Sequence, residues 1–126
     1  MAALLQDKLA ELKHALEELD RNYEDESSEI HDLLITERET LDEVEKEWKV
    51  CFHFEEGLLL DAALRHEMRD INDRMFDLNM EWTMLCRNYD AERSALCEEI
   101  TKAEHQLKLH AVHLEFCEKM TAVAAD

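Results

Sequence analysis

An all-α fold, laid out as a long coiled-coil helix, is what this sequence predicts. Three observations predict it. The chain has no proline and a single glycine, Gly57, which leaves almost nothing to build turns or hairpins from. Alanine, leucine, glutamate, lysine and arginine dominate, the composition of long helices, while valine and isoleucine are too scarce for a sheet. Apolar residues recur at alternating steps of four and three, the spacing that keeps one stripe of a helix facing a partner. At 126 residues the chain has room for one domain.

The first stripe runs Leu5, Leu9, Leu12, Leu16, Leu19 and Tyr23 without a break in the alternation. Glu11, Lys13, Glu17, Glu18 and Asp20 lie between its members and form a solvated charged face. Two positions in seven is a coiled-coil seam, narrower than the face of a globular-core helix. Beyond Tyr23 the series continues through Glu26, Ile30, Leu34, Glu37, Leu41, Val44, Trp48 and Cys51. Two successive steps of four, from Glu26 through Ile30 to Leu34, make a stutter that locally unwinds a left-handed supercoil.

A second stretch sixty-six residues on repeats this arrangement. Arg21, Asn22, Tyr23, Glu26 and Ser28 recur as Arg87, Asn88, Tyr89, Glu92 and Ser94. The second stripe is Ile71, Met75, Leu78, Trp82, Leu85, Tyr89, Glu92, Leu96, Ile100, Ala103, Leu107, His110, Leu114 and Cys117, with the doubled four in the same place. Internal duplication accounts for the match, and so does the ease with which any two heptad helices superpose. On this reading residues 1–126 are a single coiled-coil region with two similar halves, 1–56 and 58–120. The last residues, TAVAAD, are weakly patterned and are expected to fray.

The halves meet in WKVCFHFEEGLLLDAAL, residues 48–64, which is apolar on more than one side of any helix and contains Gly57. A register break around Gly57 is expected. The chain either runs through as a continuous or gently kinked helix, or folds back into an antiparallel pair. A fold-back ordinarily uses a loop with turn chemistry, and here only the glycine supplies any. The continuous helix is therefore the expected form, with the broad apolar patch meeting a third helix or a second protein.

Thirty-two acidic residues against fourteen basic ones give a net charge of −18. That field excludes general binding to nucleic acid or to an anionic membrane, and it favours a basic partner. It also keeps a helix soluble, whatever its partners. Four cysteines, Cys51, Cys86, Cys97 and Cys117, form no Cys-x-x-Cys pair, and no apolar run approaches eighteen residues. Free thiols in a reducing cytoplasmic setting are expected. The opening MAALLQDKL reads as a helix start.

Candidate chemistry is sparse. Glu11–His14 has the Glu-x-x-His spacing of di-iron bundles, but a single match is what chance gives, and His14 is off the stripe. His110, His113 and Cys117 share one helical face and could share a zinc ion. The equivalent positions of the first half, Val44, Glu47 and Cys51, do not repeat that set, and histidine and cysteine also serve as small seam residues. No nucleophile constellation and no glycine-rich phosphate loop is present. Trp48, Trp82, Tyr23 and Tyr89 read as packing knobs. No catalytic residue, no metal and no cofactor is expected, and the chain is not expected to be an enzyme.

The spacing Tyr23, Glu26, Ile30, Leu34, Glu37, Arg38 resembles a segment of the coiled-coil subunits 1 and 2 of the nexin–dynein regulatory complex of motile cilia. There a tyrosine or similar residue is followed by Glu, an aliphatic residue, Phe or Leu, then Glu-Arg. Glu55, Glu56, Leu60, Leu64 and Met68 look like a second segment of that family. Tyr89 and Leu96 look like a third, with Leu78 and Leu85 as its seam. The resemblance covers about two thirds of the chain and rests on coiled-coil-level motifs. This sequence departs from the family in its much shorter length, in a shorter stretch between the first two segments, and in Leu34 at a Phe position. The resemblance implies a cytoskeletal scaffold of the ciliary or flagellar axoneme that works by heteromeric helix pairing, with no enzymatic activity or cofactor.

Seam composition bears on the partner as well. The partner-binding seam is expected to comprise the stripe residues from Leu5 to Trp48 and, Ala103 and His110 apart, from Ile71 to Leu114. In a parallel in-register homodimer Glu26, Glu37 and Glu92 would each face their own copy and repel. A more basic coiled-coil partner would turn the same layers attractive. The expected state is an obligate heteromer, poorly folded alone at neutral pH. A coiled-coil adaptor of a trafficking, centrosomal or kinetochore complex is the alternative with the same physics. A metal-binding helical bundle is the remaining one.

Overall fold

The computed structural model describes residues 2–125 and is all-α. Helix α1 spans Ala2–Val50, a 3-10 turn spans Cys51–His53, and helix α2 spans Gly57–Ala125, with no strand among the described residues. Helix α2 reaches Ala125 in the weakly patterned tail, whose last residue, Asp126, lies outside the described residues. Threonines inside the helices return their hydroxyls to the carbonyl four residues back, as Thr36 does to Asp32 and Thr101 to Cys97.

The chain divides into two compact units, Tyr23–Arg87 and the pair Met1–Asn22 with Asn88–Asp126. These boundaries differ from the two sequence halves, because each unit takes one segment from each helix. Within Tyr23–Arg87 the chain turns back on itself, which replaces the expected continuous helix. Partners across the two helices run in opposite directions: Trp48 with Asp61, Glu37 with Arg74, Ser27 with Trp82, Tyr23 with Cys86.

The reversal is built without any left-handed residue. No described residue, glycine included, has positive φ. The amide of Phe54 donates to the Cys51 carbonyl at 3.1 Å, Phe54 then extends at φ −107° and ψ 152°, and the Gly57 amide donates to the Phe54 carbonyl at 3.1 Å. The Leu60 amide takes the Glu56 carbonyl at 3.0 Å as α2 begins. Ordinary αR and β conformations thus suffice, so the turn leaves no Pro, Asn or Gly-pair signature. Gly57 is required for space. A Cβ there would stand 2.8 Å from the Cys51 carbonyl oxygen and 3.1 Å from Phe52 Cα, both backbone atoms.

The core of this unit is a short cluster beside the turn. Val44, Cys51, Leu64 and Ile71 are buried, and Leu41, Trp48, Met68 and Met75 pack against them. The seam residues of the two helices therefore meet each other inside one chain. Burial also resolves the many-sided apolar stretch: Cys51 and Leu64 point inward, whereas Phe52, Phe54, Leu58 and Leu59 are exposed. In the other unit Leu5, Leu9, Leu12, Leu16 and Leu19 are half-buried, as are Leu96, Ile100 and Leu107, and Ala103 is buried.

Candidate interaction surface

Seam positions account for most of the inward-facing residues. Tyr23, Ile30, Leu34, Glu37, Leu41 and Trp48 are half-buried and Val44 is buried; Met75, Leu78, Leu85 and Tyr89 are half-buried and Ile71 is buried. Four expected seam positions are not. Glu26 and Glu92 are exposed; after Tyr23 the helix turns Ser27 inward in place of Glu26, so the doubled four is centred on Tyr23 and not on Ile30. Trp82 keeps seam spacing but lies on the margin, 44% exposed, where its Nε1 donates to Ser27 Oγ at 3.1 Å. Leu114 is exposed, since every residue from 111 to 124 is exposed.

Glu37 is the seam carboxylate that stays half-buried, and its partner lies within the same chain. Arg74 Nε donates to Oε1 at 3.0 Å and Nη2 to Oε2 at 3.2 Å, a two-pronged pairing. The Glu37 bond, ahead of the cost of desolvation, holds the guanidinium in its charged form and raises its pKa. Within the chain, then, Glu26 and Glu92 are solvated and Glu37 is paired with Arg74.

In the second unit, Tyr89 donates its hydroxyl to Asp20 Oδ1 at 2.6 Å, and Arg93 Nε approaches the same oxygen at 3.4 Å. The Asp20 bond, with burial adding to it, pushes the Tyr89 phenol up from its usual range. Lys13 Nζ lies 3.9 Å from Glu104. Arg93 also reaches Cys97 Sγ at 3.7 Å.

Beside the seam of the Tyr23–Arg87 unit lies an open groove of about 570 Å³, mostly apolar, lined by Tyr23, Ser27, Ile30, Leu34, Asn79 and Trp82 among others. Its walls are the flanks of two helices, and Glu24 and His31 are among the lining residues. His113 Nε2 lies 3.6 Å from Cys117 Sγ. Among the described residues no group of three or more His, Cys, Asp or Glu is placed to hold a metal ion, so the His110–His113–Cys117 set does not close into a site. The four cysteines are unbridged, Cys51 buried and Cys117 exposed. No helix of the described residues is long and apolar enough to cross a membrane. No protein-family model, curated protein or solved structure matches the chain.

Proposed function

We propose that this chain is a structural coiled-coil subunit, an assembly scaffold of the ciliary axoneme similar to the coiled-coil subunits of the nexin–dynein regulatory complex, which acts by pairing with a more basic coiled coil. One observation carries this reading. The seam is closed by the chain's own second helix, so what the protein offers a partner is the outside of its helices, and that outside holds most of an acidic excess of −18. Glu24, Glu26, Glu39, Glu43, Asp73 and Glu92 are all exposed on it. A partner rich in lysine and arginine would meet attraction along such faces, and the pairing would weaken steeply with salt. The axonemal address rests on the Tyr23-to-Arg38 resemblance. Partner choice rests on the charge of these faces.

The test is a tagged chain expressed in cells bearing motile cilia. It should stay with detergent-extracted axonemes and leave them at high salt, and carboxylate-to-lysine cross-links should join its acidic faces to a neighbouring coiled coil. A chain that is diffuse in the cytoplasm, or that collects at centrosomes or kinetochores, would overturn the axonemal assignment.

A further inference from the structure

Helix α2 carries a second apolar stripe that the seam does not use. Leu109, Val112, Phe116, Met120 and Val123 are all between 54% and 70% exposed. Their steps are three, four, four and three, so they fall on one face of the helix. At about 100° per residue, Phe116 points away from Leu107, the half-buried seam residue nine positions earlier. The stripe thus lies opposite the line of the seam, which loses its cover after His110, since residues 111–124 are all exposed.

Two properties say what covers it. The first is symmetry: the spacing reads the same in both directions from Phe116. In an antiparallel two-fold pair of such helices, Leu109 meets Val123 of the second copy, Val112 meets Met120, and Phe116 meets itself. That self-complementarity is what an isologous interface requires. The second is charge. Residues 105–125 contain two lysines, Lys108 and Lys119, and two glutamates, Glu115 and Glu118, so the stretch is balanced while the rest of the chain carries the whole net charge of −18. In the antiparallel pair, Lys119 of one helix and Glu115 of the other lie on the same flank, about 3 Å apart along the axis. We propose that two copies of this chain dock tail to tail, antiparallel, through Leu109, Val112, Phe116, Met120 and Val123. A more basic coiled coil would occupy the acidic faces elsewhere, so this contact stands independently of the proposed function.

The test is sedimentation of the purified full-length chain at neutral pH over about 1 μM to 1 mM, with helicity checked by circular dichroism. A reversible monomer–dimer equilibrium is expected, tightening as salt screens the acidic charge. Phe116→Glu, Leu109→Lys and Val123→Glu should each weaken it by about tenfold or more, with helicity retained. Mixing the Leu109→Lys and Val123→Glu chains should restore dimers, because the antiparallel register sets lysine against glutamate. A chain that stays monomeric throughout, a dimer indifferent to Phe116→Glu, or a mixture no tighter than either variant alone would overturn the proposal.

Discussion

The indole Nε1 of Trp48 donates a 2.6 Å hydrogen bond to Oδ1 of Asp61, across the reversal and thirteen residues away. Arg65 Nε binds the same oxygen at 2.8 Å, and its guanidinium carbon sits 5.6 Å from the centre of the Trp48 ring. One carboxylate thus ties the end of α1 to the start of α2. The Trp48 N–H first, and then Arg65, hold the Asp61 carboxyl below its usual value. A depressed folded-state pKa stabilises the fold above the unfolded value, about 3.9, and that contribution is lost as pH falls through the folded value. Trp48→Phe should therefore lower the melting temperature near neutral pH, and the gap to the parent should narrow in acid. Thermal melts across that range, with a gap that stayed constant or widened in acid, would count against the assignment.

Gly57→Ala separates the fold-back from a continuous helix. In a continuous helix alanine would stabilise by roughly 0.5–1 kcal/mol. Here its Cβ would meet backbone at 2.8 Å. Destabilisation of about 1–3 kcal/mol, the usual cost of overpacking, is expected in denaturant melts.

Ile71 is the largest fully buried side chain, at 0% exposure, in a core of few residues. Ile71→Ala should cost about 2–5 kcal/mol. Against marginal total stability this should leave the Tyr23–Arg87 unit largely unfolded at moderate temperature, while Leu58→Ala, at an 83% exposed position, should change little. Equal effects from the two substitutions would show that Ile71 is not in the core.

The Glu37–Arg74 pair calls for a charge swap. Glu37→Arg or Arg74→Glu alone places like charges together and should lower the melting temperature. The double swap should recover much of the loss, giving a positive coupling in a double-mutant cycle. Additive losses would mean that the pair does not form in solution.

The helical class and most of both stripes were legible because heptad spacing is a local property of the chain. The reversal was not. Turn reading looks for residues that favour left-handed or proline-fixed backbone, and residues 51–56 need neither. The clue lay in Gly57, whose role is to let the Cys51 carbonyl come close, a contact no local pattern reveals. The inward position after Tyr23 also escaped. Glu26 and Ser27 both fit a three-or-four step, and only the cross-helix bond from Trp82 to Ser27 decides between them. The partner of Glu37 was not legible either, because Arg74 lies thirty-seven residues away and meets it only after the chain reverses.

A reversal that places Trp48 against Asp61 also sets an order of assembly. Cross-helix partners in the Tyr23–Arg87 unit are separated by 13, then 37, 55 and 63 residues along the chain. Once the first pair has formed, each later pair closes only a small additional loop, so the entropic cost of joining distant residues is met mainly at the start. Folding should spread from the turn toward Tyr23 in the manner of a zipper. Substitutions near Leu64 should then slow folding, and those near Leu85 should mainly speed unfolding.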